Sequence, residues 1–169
     1  MSEISDEMER RIEPEPINPE RRTGMERRMV HRLLVHWRKA SRDESIPLTL
    51  EAILNQDLGD ITPLIFVLII PTGNEEPVFE SIGESYLSEL NSDLIGQSVS
   101  SVPDETLLQK ASYYYDRILD KKVPTTLGGE FINAKGETVL YRSIITPLKG
   151  DDDNISKLLG AANCKVKKT

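Results

Sequence analysis

Residues 131–166 read FINAKGETVLYRSIITPLKGDDDNISKLLGAANCKV, and the punctuation of this stretch decides the fold. Phe131 and Ile132 run into Asn133-Ala-Lys-Gly136, a hairpin signal with glycine where the backbone needs positive φ. Val139 to Leu148 is the returning strand, rich in β-branched residues. Gly150-Asp-Asp-Asp-Asn154 forms a second polar turn, and Ile155 to Val166 is the last strand. Two short turns in succession make the three strands consecutive and antiparallel, because parallel neighbours need a long crossover.

Upstream, the period changes from two to 3.6. Leu107, Leu108, Ala111, Tyr114, Tyr115, Ile118 and Leu119 form a wide apolar stripe. Pro103, Asp104 and Glu105 suit the first turn of that helix, Lys121 and Lys122 close it, and Pro124 stops it. Leu94 to Val102 reads as a connection broken at Gly96, and Glu84 to Leu90 as a short helix. Leu64 to Ile70 (LIFVLII) is short, β-branched and apolar on both faces, which predicts a central strand buried on both sides. Pro71 to Pro77 is turn-like, and a second strand follows over Val78 to Ile82. Thr49 is placed to cap a short helix through Gln56.

An amphipathic helix is predicted over 25–42. Met29, Val30, Leu33, Leu34 and Trp37 share one face, with Arg27, Arg28, Arg32 and Lys39 on the others. Such a stripe must cover something, either its own domain or a second copy. Met29, Leu33 and Trp37 are expected as interface anchors, for a homodimer or a signalling partner. Residues 1–24 carry prolines and mixed charge with few large apolar groups, so a flexible arm is expected there, followed by one domain over 25–169.

The chain's 169 residues have room for one domain plus a tail. Its apolar runs fall far short of a membrane span, and the N-terminus has no apolar signal core, so a cytoplasmic protein without membrane insertion is expected. A net charge of −7 argues against nucleic-acid binding by phosphate neutralisation. The one cysteine rules out an intrachain disulfide framework and multi-cysteine metal sites.

Two strands, a run of helices ending in a long one, and three hairpin-linked strands behind an amphipathic helix resemble a PAS domain. The likeness is closest to small stand-alone PAS-like proteins of bacteria, chiefly alphaproteobacteria. It is carried by Leu34-Trp37-Arg38, Ile46-Pro47, Leu94-Ile95-Gly96-Gln97-Ser98, Leu140-Tyr141-Arg142, Thr146-Pro147-Leu148 and Leu158-Leu159-Gly160, and spans roughly Met25 to Val166. The resemblance implies an α+β fold: a five-stranded antiparallel sheet with helices over one face. It also implies a protein that senses small ligands or mediates protein contacts.

Between such a sheet and the long helix lies the place for a pocket. Tyr114 and Tyr115 are expected at its wall with Ala111 and Ile118, and Tyr113 nearer solvent. A buried phenol needs a partner, and Arg142 on the facing hairpin is a candidate counter-charge for a bound metabolite. The bland alternative is an aromatic wedge that fills the core. No cofactor is expected. His31 and His36 lie five apart and do not share a face for a metal, since consecutive helix positions turn about 100°. Haem-binding PAS domains commonly use a histidine on the long helix, and Ala111 to Asp120 has none. Flavin-binding relatives carry a reactive cysteine in a mid-domain helix, whereas Asn163-Cys164-Lys165 falls in the last predicted strand. Asp151-Asp152-Asp153 lacks the alternation and glycine of a calcium loop. No phosphate loop and no Ser/His/Asp order speak for catalysis, and the PAS resemblance implies a non-enzymatic sensor or adaptor, with a small-molecule receptor as the alternative.

Overall fold

The computed structural model describes residues 27–42, 53, 59–73, 75–149 and 154–167. The arm expected over 1–24, the helix over Thr49–Gln56 (Ile53 excepted) and residues 150–153 of the second turn lie outside the described residues. Helix α1 (Arg27–Ser41) comes first, then a 3-10 turn over Gly59–Leu64. Strands β1 (Ile65–Ile69) and β2 (Val78–Ile82) follow, then 3-10 turns over Glu84–Glu89 and Val99–Ser101. Helices α2 (Leu107–Ser112) and α3 (Tyr115–Lys121) lead to β3 (Thr125–Ile132), β4 (Thr138–Lys149) and β5 (Ile155–Val166).

All five strands make one sheet in the order β2-β1-β5-β4-β3, antiparallel at every pairing. This is the five-stranded antiparallel architecture that the PAS resemblance implies. β1 lies between β2 and β5, as its two-sided apolarity predicts. The Asn133–Gly136 turn forms as read. Asn133 Oδ1 accepts from the amides of Lys135 (3.0 Å) and Glu137 (2.9 Å), and Gly136 takes φ +80°.

Alternation along the strands splits the interior into two cores. Phe66 and Leu68 of β1 join Tyr141 and Ile145 of β4 and Leu158 and Ala162 of β5 in a layer roofed by Leu107, Leu108, Ala111, Tyr114 and Ile118. Ile65, Val67, Ile144, Leu148, Leu159 and Ala161 face the other way and pack under α1 with Ile53 and Ile61. The sheet therefore has α2, α3 and the 3-10 turns on one face and α1 on the other. Among the described residues, no helix is long and apolar enough to cross a membrane.

Two features of the sequence are resolved differently by the fold. The expected long helix is two short ones, interrupted at Tyr113 and Tyr114, where Tyr114 takes φ −92° and ψ 22°. Ser112 Oγ bonds back to the Leu108 carbonyl at 2.7 Å, a contact that competes with the helical ladder at this end. The helix also starts later than Pro103. Thr106 is its N-cap, its Oγ1 accepting from Gln109 N at 3.2 Å, while Glu89 Oε1 takes the Leu107 amide at 3.0 Å. Glu105, immediately before, sits at φ +59°, which excludes helical continuity back to Pro103.

Candidate functional site

The layer between the sheet and α2–α3 is where a ligand would be sought. Its middle is occupied by side chains. Phe66, Phe79, Tyr86, Leu108, Tyr114 and Ile118 are all fully buried there. The Phe66 ring meets Phe79 and Tyr86 edge-on, at centroid distances of 6.4 and 6.0 Å. Phe66 pairs in register with Gly160 and lies over it so closely that a Cβ at Gly160 would come within 2.2 Å of its ring.

The two fully buried phenols of this layer, Tyr86 and Tyr114, are engaged. Tyr114 Oη is 2.7 Å from Ser143 Oγ, which in turn donates to the Leu127 carbonyl at 3.3 Å. With the serine proton committed to Leu127, the phenol is the donor to the serine. Tyr86 Oη donates to the Leu64 carbonyl and so ties the Glu84–Glu89 turn to the start of β1. Desolvation raises both phenols well above the ordinary tyrosine value, outweighing the hydrogen bonds that act the other way.

The structure thus places Ala111, Tyr114 and Ile118 together at the roof, as expected, and puts Tyr113 47% exposed outside it. Tyr115 is half-buried at the margin of this core, its phenol raised first by desolvation and then by Glu76. Arg142 does not join them. Ser143 beside it faces Tyr114, so strand alternation sends Arg142 to the opposite face of β4, across from Gly128. The counter-charge expected from it is therefore not in this layer.

Met29, Leu33 and Trp37 are corrected in the same way. They lie beneath α1, 2%, 0% and 8% exposed, in the core that α1 shares with its own sheet. Trp37 Nε1 donates to the Pro147 carbonyl at 2.8 Å. The stripe covers its own domain, the first of the two options its amphipathicity left open. What α1 and Arg42 just after it turn outward is another set. Val35 is 45% exposed, Lys39 and Arg42 are exposed, and Arg32 and His36 are half-buried beside them. The i, i+3, i+7 and i+10 spacing of Arg32, Val35, Lys39 and Arg42 puts them on one face, with Val35 the apolar residue among the basic ones.

Cys164 sits at the far end of β5, in register with Tyr141. Partial desolvation of the thiol, then the nearby Glu89 carboxylate, raise it above its ordinary value, the direction opposite to that of a reactive thiolate. Among the described residues, no group of three or more His, Cys, Asp or Glu is arranged to hold a metal ion.

No family model matches the chain, and no curated protein does. Solved structures of similar outline include a light-oxygen-voltage domain studied with a flavin analogue (17% identity, 62% of this chain and 78% of that one, TM-score 0.43). Others are the dark state of the Aureochrome1 LOV blue-light photoreceptor (14%, 68% and 83%, TM-score 0.48) and the LOV domain of the Erythrobacter litoralis EL346 blue-light activated histidine kinase (13%, 62% and 96%, TM-score 0.42). A flavin does not fit the layer as it is packed here. The fully buried aromatics occupy its middle, the Tyr86 and Tyr114 phenols are already bonded, and the one cysteine lies on β5 rather than on a helix of the roof.

Proposed function

We propose that this protein is a non-enzymatic signalling protein of PAS type, a sensor or adaptor that acts in the cytoplasm by binding a protein partner through α1. The observation that carries this reading is the alternation of single strands between two cores. On β1, Phe66 and Leu68 belong to the helical layer while Ile65 and Val67 belong to the layer under α1. On β4, Ile145 and Ile144 divide the same way. Packed interiors transmit displacement rather than absorb it, so a shift in the helical layer is carried through these strands to the helix clamped on the other side. The Trp37–Pro147 hydrogen bond makes that clamp specific in register.

The receptor alternative has less to support it, because the phenol that would greet a ligand, Tyr114, is bonded to Ser143. Native mass spectrometry of the full chain purified from its own host tests the reading. The expected spectrum contains a protein complex and no stoichiometric small molecule. A bound metabolite at one per chain, with no complex, overturns the adaptor in favour of the receptor.

A further inference from the structure

Helix stability explains only part of the charge on α1: Arg38 and Lys39 in its last turn suit the helix dipole, and the rest of its basic residues do not follow from it. The helix Arg27–Ser41 holds five basic residues and no acidic one. The whole chain carries −7 and this helix alone +5, so the remaining residues carry −12. A helix selected only for solubility mixes signs and gains from i, i+4 pairs, and this one has none to make. Its first turn has no acidic residue to complement the helix dipole. In the middle of the face Val35 is 45% exposed, with Lys39 and Arg42 exposed on the same stripe.

We propose that the outward face of α1, centred on Val35, Lys39 and Arg42, is a docking surface for an acidic segment of a partner protein. The proposal rests on the function above, which it deepens by naming the face and the chemistry of its occupant. Three considerations favour an acidic polypeptide over an extended polyanion. The face is one short helix, about 22 Å long at 1.5 Å per residue, which matches a short segment. A membrane or a nucleic-acid duplex presents negative charge well beyond that footprint, and the rest of this chain, at −12, opposes it. The apolar stripe of α1 is spent on its own sheet, so insertion into lipid has no apolar face to use, whereas the single exposed valine suits a small apolar contact inside a charged rim.

The test uses the full chain and fluorescently labelled short poly-L-glutamate, read by anisotropy at low and at physiological salt. Wild type is expected to bind, with affinity falling as salt rises. The double variant Lys39→Glu/Arg42→Glu is expected to lose at least tenfold, and Val35→Ser to weaken binding by a smaller factor. Lys135→Glu, on the distant β3–β4 turn, is the control expected to bind as wild type does. Equal affinity of wild type and Lys39→Glu/Arg42→Glu overturns the proposal. So does tighter binding to phosphatidylcholine/phosphatidylglycerol vesicles or to duplex DNA with the same dependence on Lys39 and Arg42. Binding that appears only after Glu13→Lys/Glu15→Lys/Glu20→Lys also overturns it, and names the chain's own acidic N-terminal segment as the occupant. If poly-L-glutamate fails while the host-derived complex persists in native mass spectrometry, this inference falls and the adaptor reading stands.

Discussion

Trp37 and Pro147, 110 residues apart, are joined by an indole N–H that donates to a strand carbonyl at 2.8 Å. The pairing explains a proline inside a strand. β3 begins at Thr125, opposite Ile145, so residue 147 lies beyond its reach and has no β3 neighbour to need an amide. The carbonyl of Pro147 is buried all the same, and α1 supplies its donor. Trp37→Phe keeps most of the packing and removes the donor, which is expected to cost about 1–3 kcal/mol. Trp37→Ala should cost about 3–5 kcal/mol by opening a cavity as well. Urea unfolding of the two variants checks the order, and a Phe variant that unfolds with wild type contradicts the role given to the hydrogen bond.

Leu33 is fully buried between α1 and the sheet. Leu33→Glu loses its packing, worth about 2–5 kcal/mol, and places an unpaired carboxylate in an apolar layer besides. The expected outcome is a large drop in the urea midpoint, with sedimentation of the remaining folded protein unchanged in mass. A variant of wild-type stability that changes only its mass would return this stripe to the role of an intermolecular interface.

The contact between Phe66 and Gly160 gives a test by compensation. Gly160→Ala drives a methyl to within 2.2 Å of the ring and should be strongly destabilising, while Phe66→Leu in the same chain makes room and recovers part of the loss. Gly83→Ala meets the Pro63 carbonyl oxygen at 2.1 Å, and no side-chain change relieves a backbone clash. Thermal unfolding of the three single variants and the two doubles should therefore show a compensating coupling between Gly160→Ala and Phe66→Leu and no rescue of Gly83→Ala by Phe66→Leu.

Tyr114 links the roof to stability at high pH. Burial raises its phenol above the ordinary value of 10.0, and the unfolded chain keeps that ordinary value. A group with a raised folded-state value contributes fully below the unfolded value and loses its contribution as pH climbs past it, at about 1.4 kcal/mol per pH unit. Stability should hold below about pH 10 and fall above it. Tyr114→Phe should make that fall shallower while costing about 1 kcal/mol at neutral pH from the lost bond to Ser143. Urea midpoints measured from neutral to alkaline pH check both, and an unchanged alkaline slope contradicts the assignment.

Much of the fold was legible in local signals. The bounds of β5, Ile155–Val166, and of β2, Val78–Ile82, are those read from the sequence, because turn residues and strand periodicity act within a few neighbours. The helix start at Thr106 was also written locally, as Thr106-Leu-Leu-Gln109, a capping pattern hidden behind the more conspicuous Pro103.

By itself, then, the sequence determined which segments are strands, the antiparallel succession of the last three, and that α1 has one apolar and one basic side. Only the tertiary structure decided what each side meets. Periodicity shows that Tyr141 and Ser143 share a face that Arg142 does not, but not which face looks at Tyr114. It shows the stripe of Met29, Leu33 and Trp37, but not that the free face of the same chain's sheet will bury it. Those outcomes depend on partners 29 residues away for Tyr114 and Ser143 and 110 for Trp37 and Pro147, and a contact between distant residues leaves no mark on the spacing of near ones.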